Sequence, residues 1–355
     1  MAADIIRPEI RALASYHVQN AAGMIKLDAM ENPFAFPEEL RAGLSKALAT
    51  ASLNRYPPAG AEALKNEIRA AMHIPDGMDI LLGNGSDEII QLIAMATAKP
   101  GAGLLSVEPA FVMFKMIATF CGLNYIGVPL RADFSLDQPA LLAAVARAQP
   151  ALTFIAYPNN PTGNLFDRDT VREVIAAAGR YGGLVVIDEA YFAFSTESFL
   201  DEIAAYPNAV LMRTVSKLGL AGIRLGMLIG RAAWLAEFDK LRLPYNINAL
   251  TQAAATFAMR HYDALLLQAA ALKAERTRVA AQIDRIKPVQ RFPSDANFIL
   301  IRVPDATQTF ERLLSRKILV KNTSSSHSLL TNTLRLTVGT PAENDALIAA
   351  LQNSI

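Results

Sequence analysis

Between about Ile80 and Ile229, short apolar runs recur along the chain, and a stretch of helical length separates each from the next. The runs are Ile80 to Leu82, Leu104 to Val107, Leu152 to Tyr157, Leu184 to Ile187, Val210 to Met212 and Leu225 to Ile229. They are too short for helices and too continuously apolar for strands with one wet face, so they read as strands buried on both sides. Alternation of such strands with helices predicts an α/β fold with parallel pairing. After the first run comes the turn Gly83-Asn84-Gly85-Ser86-Asp87, and Glu88 to Thr97 reads as a helix with Ile89, Ile90, Leu92 and Ile93 on its apolar side.

The pattern changes after Pro244. Long Ala-rich helical sequence runs to Lys287, followed by a strand at Asn297 to Val303, a helix near Phe310 to Arg316 and a strand at Leu334 to Val338. We read residues 28–245 as a large domain, and residues 1–27 with 246–355 as a small α+β domain carrying an N-terminal arm. That arm is too short to fold alone, so it is expected to pack on the small domain or on a partner subunit. The polar run from Asn322 to Ser328 reads as a mobile loop.

Composition excludes several functions. The chain has 355 residues, 52% of them hydrophobic, enough to bury a large core. Its formal net charge of +1 gives no global field for nucleic acid or an anionic membrane surface, so any anion must be met locally. Acidic, basic, Pro or Gly residues break every apolar stretch before the roughly 18 residues a membrane helix needs. The opening Met1 to Pro8 lacks the pattern of a secretory signal. The single cysteine, Cys121, and the four histidines show no metal-ligand spacing, and a reducing cytoplasm is expected.

Four segments at predicted strand ends carry chemistry. In Val185-Val186-Ile187-Asp188-Glu189-Ala190-Tyr191, an apolar strand ends in a carboxylate that could hold a pyridine nitrogen protonated, with Tyr191 on the ring oxygen. A lone aspartate there is more often a cap or an ion-pair partner. The same pattern also resembles the magnesium-binding strand of a P-loop ATPase, but that reading needs a Gly-Lys pair, and the chain has none. Thr214-Val215-Ser216-Lys217, with Gly219, Gly222 and Arg224 following, places a lysine just past a buried strand. Loss of water there lowers an amine's pKa, and Arg224 offers a cation for phosphate. Gly83 to Glu88 points the N–H groups of Ser86 and Asp87 at an anion. Tyr157-Pro158-Asn159-Asn160-Pro161-Thr162-Gly163 frames Asn160, whose amide could donate to the same ring oxygen. Each segment alone is weak; together they offer what a pyridoxal 5'-phosphate site requires.

On these motifs, joined by Leu27 to Pro33, Asn54 to Pro57 and Thr333 to Thr340, the sequence resembles the fold-type I aminotransferases. Within them it is similar to the histidinol-phosphate aminotransferase family over essentially its whole length. The resemblance implies a mostly parallel seven-stranded sheet flanked by helices, plus a smaller α+β domain. It implies that Lys217 is the Schiff-base lysine and proton shuttle, that Asp188 pairs with the pyridinium, and that Asn160 and Tyr191 hold the ring oxygen. Ser86, Asp87, Ser216 and Arg224 would bind the cofactor phosphate, joined by Tyr56 from the other subunit of a homodimer, and Thr214 would also contact the cofactor. Phe111 would stack on the ring. Arg335, Lys321 and Tyr16 would meet substrate, with no metal.

The implied reaction converts L-histidinol phosphate and 2-oxoglutarate to imidazole acetol phosphate and L-glutamate, in histidine biosynthesis. An aromatic-amino-acid aminotransferase and a threonine-phosphate decarboxylase are the nearest rivals, because they share the ring-holding residues. Three departures from the family pattern bear on substrate preference. Lys321 stands where many relatives have Arg, Met30 where Asn is frequent, and Phe111 where Tyr is frequent.

Overall fold

All six apolar runs are strands of one seven-stranded sheet in a computed structural model that describes residues 5–15 and 19–355. Strands are numbered along the chain, beginning with the short β1 (Ile25–Leu27), which belongs to a second sheet. The large sheet contains β2 (Met78–Gly83), β3 (Gly103–Glu108), β4 (Asn124–Pro129), β5 (Leu152–Ala156), β6 (Leu184–Asp188), β7 (Ala209–Thr214) and β8 (Gly226–Arg231). Their spatial order is β2-β8-β7-β6-β5-β3-β4.

Alternate residues of these strands enter two apolar layers. Leu104, Phe154, Val186, Val210 and Leu228 pack with Ile89, Ile93, Phe114 and Ile117 of helices Ser86–Thr97 and Val112–Cys121. Leu105, Ile155, Ile187, Leu211 and Ile229 face the other way, into the layer that holds Leu141, Val145, Val171 and Val174 of helices Gln138–Ala148 and Arg168–Arg180. Helices on both faces explain why the strands read as unbroken apolar runs.

Two features of this sheet were not anticipated. Strand β4 lies at the sheet edge and is half exposed, so its sequence Asn-Tyr-Ile-Gly-Val-Pro lacks a buried strand's signature. Strand β8 runs antiparallel to both β2 and β7, which departs from the parallel pairing read from the strand rhythm but agrees with a mostly parallel sheet. The reason lies in the connection: residues 215–225 form only two 3-10 turns, and without a crossover helix the chain returns antiparallel. That return holds the 215–225 loop at the C-terminal end of β7, on the edge of an α/β sheet where ligand crevices form.

The second sheet has the order β1-β11-β12-β10-β9, with β9 (Gln290–Arg291), β10 (Phe298–Arg302), β11 (Ile318–Asn322) and β12 (Thr333–Thr337). Ile25 to Leu27 pair in parallel with Ile318 to Val320, so this part of the opening segment adds a strand to the smaller sheet. The Ala-rich region is two helices, Ala249–Arg260 and Tyr262–Ile283, broken at His261. The polar run after β11, expected to be mobile, is pinned. Thr323 N–H donates to Thr333 O at 3.1 Å, Thr323 Oγ1 lies 2.7 Å from Thr333 Oγ1, and Ser326 N–H closes a turn onto Thr323 O.

Candidate active site

Strand ends β2, β5, β6 and β7 open onto one cavity of about 240 Å³, lined among others by Ser86, Asp87, Phe111, Asn160, Asp188, Tyr191, Thr214, Ser216, Lys217 and Arg224. Every predicted cofactor residue except Tyr56 is therefore in one place. Asp188 closes β6 and is almost fully buried; its Oδ1 accepts from Ala190 N–H at 3.0 Å. Burial pushes its pKa up to about 7, helped by the nearby Asp87 and Glu189 carboxylates. Neither of its oxygens bonds a cation among the described residues, so a cationic ring nitrogen would relieve the cost of ionising it.

Lys217 follows β7 on the first 3-10 turn. Burial pulls its pKa down to about 8, and the positive charge of Arg335 adds to the effect. A substantial neutral fraction near physiological pH makes the amine a nucleophile and a base. Its Nζ donates to the carbonyl of Ala29 at 3.1 Å. The turn that carries it is tied down by Asn32 Nδ2, which donates to Leu218 O at 3.2 Å.

Ser86, Asp87 and Arg224 line the same cavity in an arrangement that could cradle an anion. The first turn of helix Ser86–Thr97 presents N–H groups without helical partners. Gly85 sits at φ +85°, and β8 passes so close that a Cβ on Gly226 would lie 2.7 Å from Ser86 N. Arg224 holds a left-handed backbone, φ +51°, strained for a residue with a side chain. Its Nη2 stands 3.7 Å from Asp87 Oδ2, while Asp87 Oδ1 is buried with no hydrogen-bond partner. Burial raises the Asp87 pKa despite Arg224 and Lys217. The contact that Asp87 offers an anion is thus its N–H; its carboxylate competes for Arg224. Thr214 Oγ1 donates to Leu225 O at 3.0 Å and accepts from Ser216 N–H at 3.1 Å, fixing the Ser216 hydroxyl beside the cradle.

Asn160 and Arg335 are joined: Arg335 Nη1 donates to Asn160 Oδ1 at 2.6 Å, and Arg335 Nη2 to Asp28 O at 2.8 Å. A guanidinium only donates, so the amide oxygen must face it, and Nδ2 of Asn160 is left as the donor toward the cavity. Tyr191 packs edge-on against Phe298, ring centroids 5.2 Å apart. Arg335 and Lys321 line a second cavity of about 300 Å³ that shares Met30, Phe111 and Asn160 with the first.

Tyr56 is not in its own chain's cavity; it is 79% exposed and stacked on Tyr245 at 4.4 Å. Tyr16 lies outside the described residues.

Sequence reasoning missed the roles of Asp28, Ala29 and Met30, which act through the main chain. Their carbonyls accept from Arg335, Lys217 and, at 2.9 Å, Asn297 Nδ2. One signal was present: Met30 stands where Asn is frequent, and it adopts φ +53°, a conformation Asn tolerates well. Also missed was Glu189, fully buried against Arg213 at 2.8 Å directly after Asp188.

Residues 22–351 match the model of the family described as aminotransferase class I and II. The chain belongs to that family. Among the relatives of this aminotransferase is "Histidinol-phosphate aminotransferase 2" of Cupriavidus pinatubonensis, 52% identical over 99% of this chain and 96% of that protein. Another is "Histidinol-phosphate aminotransferase 1" of Burkholderia lata, 53% identical over 98% of this chain and 97% of that one. Among solved structures, histidinol-phosphate aminotransferase from Sinorhizobium meliloti in complex with pyridoxal-5'-phosphate superposes with a TM-score of 0.88 at 24% identity. The match covers 99% of this aminotransferase and 97% of that chain, and it establishes the shared fold.

Proposed function

We propose that this aminotransferase interconverts L-histidinol phosphate and 2-oxoglutarate with imidazole acetol phosphate and L-glutamate, using pyridoxal 5'-phosphate. The observation that carries the reading is the pair of joined cavities. One brings Lys217 and Asp188 together, and the other faces two cations, Lys321 and Arg335, with no carboxylate in its lining among the described residues. The names of relatives at 52–53% identity support the same substrate.

The residues present fit the cofactor: a buried carboxylate without a cationic partner, a glycine-framed cradle with Arg224, and an amide whose donor face is fixed. Bound there, pyridoxal phosphate supplies a carbonyl carbon for amines and a ring that accepts the electron pair left at the substrate's Cα. Asp188 would keep the ring nitrogen protonated, while Asn160 Nδ2 and Tyr191 hold the ring oxygen. Arg224, Ser216 and the N–H groups of Ser86 and Asp87 would hold the phosphate, with Phe111 over the ring. Lys217 would hold the cofactor's carbonyl carbon and move the proton at the substrate's Cα, with the Ala29 carbonyl within reach of its Nζ. Arg335 would meet the substrate phosphate in one half-reaction and a carboxylate of glutamate in the other. We further propose a cytoplasmic homodimer in which Tyr56 of each subunit completes the other's phosphate site.

The test is to mix the purified holoenzyme with L-histidinol phosphate, without acceptor, and follow the cofactor's visible spectrum, with phenylalanine and threonine phosphate in parallel. Conversion to the pyridoxamine form by histidinol phosphate at the lowest concentration is expected. A response to phenylalanine alone would make this a general aromatic aminotransferase, and carbon dioxide release from threonine phosphate a decarboxylase.

A further inference from the structure

The second cavity poses a problem of donors. A phosphate monoester presents three terminal oxygens and about two negative charges, and it is held best by several directed donors. Lys321 and Arg335 face each other across β11 and β12, paired in register. Two nitrogens of the Arg335 guanidinium are already turned to Asn160 and Asp28. Lys321 makes no ion pair or hydrogen bond among the described residues, but its ammonium is a point charge without the fork of an arginine.

The hydroxyl-rich turn after β11 lies against the same cavity, which Thr323, Ser325 and Ser326 line. Almost every donor of the turn is engaged in holding its shape. The N–H groups of Thr323 and Ser326 go to Thr333 O and Thr323 O, and that of Ser324 to Asn322 Oδ1. The hydroxyls of Thr323, Ser324 and Ser326 are bonded to Thr333 and to Thr323 O. Within Thr323 to Ser326, Ser325 alone makes no hydrogen bond through either its N–H or its hydroxyl among the described residues. The turn is therefore a rigid mount that offers one residue's two donors to a cavity with two cations and no acid.

We infer that Ser325 is a specificity-determining residue, whose N–H and hydroxyl join Lys321 in holding the substrate's phosphate monoester and add fixed donors beside the rotating ammonium. The inference rests on the phosphate-bearing substrate proposed above. It is tested by comparing the holoenzyme with Ser325→Ala and Ser325→Asp in two ways. The first is the ratio of kcat/KM for histidinol phosphate over glutamate, the phosphate-free amino donor. The second is inhibition of the glutamate half-reaction by inorganic phosphate. Loss of one hydrogen bond in Ser325→Ala should lower the ratio about three- to tenfold, through KM rather than kcat. The added negative charge of Ser325→Asp should lower it at least about thirtyfold and raise the phosphate inhibition constant by a factor of about ten or more. If wild type does not use histidinol phosphate but Ser325→Asp still weakens phosphate inhibition, the phosphate seat stands and the substrate reading falls. If both the ratio and the inhibition constant stay within twofold of wild type in Ser325→Asp, Ser325 plays no part.

Discussion

At the residue scale the site is governed by two titrations shifted toward each other, Lys217 down to about 8 and Asp188 up to about 7. The amine is reactive when neutral, so the rate at which the apoenzyme takes up pyridoxal phosphate should rise with pH and level off above about 8. Arg335 helps depress the Lys217 pKa, so Arg335→Gln should move that plateau to higher pH; stopped-flow absorbance measures both, and an unmoved plateau would detach Arg335 from the lysine. For Asp188 the folded pKa lies above the unfolded value. Its stabilising contribution is present at acid pH and is lost as pH rises from about 4 through about 7. Apo Asp188→Asn, which never carries that buried charge, should gain on wild type in urea denaturation between pH 5 and pH 8, yet lose cofactor retention. Equal stability differences at both pH values would mean that burial does not raise the Asp188 pKa above its unfolded value. Lys217 and Asp188 were legible in the sequence because each stands at the end of an apolar run. The Ala29 carbonyl was not, because a main-chain acceptor has no residue signature.

At the scale of elements, the end of β6 is held by an ion pair that the sequence reading passed over. Glu189 accepts from Arg213 Nε at 3.0 Å and Nη2 at 2.8 Å, and Phe199 N–H donates to it at 2.6 Å. Both side chains are buried, so removing one leaves the other's charge uncompensated. Glu189→Ala should destabilise the fold by about 3–5 kcal/mol, and Glu189→Leu with Arg213→Met by clearly less. Denaturant titration measures the two; an equal loss would mean that packing, not the unpaired arginine, sets the cost. In sequence, Glu189 looked like the second acid of an Asp-Glu pair, because nothing local shows that Arg213, on the next strand, lies beside it. The same limit applies to strands. Buried β5 and β6 announce themselves through residues that pack on both faces, whereas edge strand β4 and the three-residue β1 depend on neighbours distant in sequence.

At the scale of the whole molecule, the chain carries apolar surface that its own fold does not cover. Leu53 is 74% exposed and Leu243 72%, on the two segments that meet where Tyr56 stacks on Tyr245. In the proposed homodimer this surface would be covered by the other subunit and would carry Tyr56 to that subunit's phosphate cradle. Each complete site would then draw Lys217 from one chain and Tyr56 from the other, which makes the arrangement separable by genetics. On that arrangement, Lys217→Ala homodimers would have no competent site, and Tyr56→Ala homodimers would have two that hold phosphate poorly. In a mixed dimer one site inherits both defects, while the other combines the intact Lys217 of the Tyr56 variant with the intact Tyr56 of the Lys217 variant. Mixing the two under conditions that exchange subunits should therefore raise activity at low cofactor concentration above the sum of the separate variants. If the mixture gives only the sum although mass spectrometry detects mixed dimers, Tyr56 serves its own chain or none, and the exposed tyrosine requires another explanation.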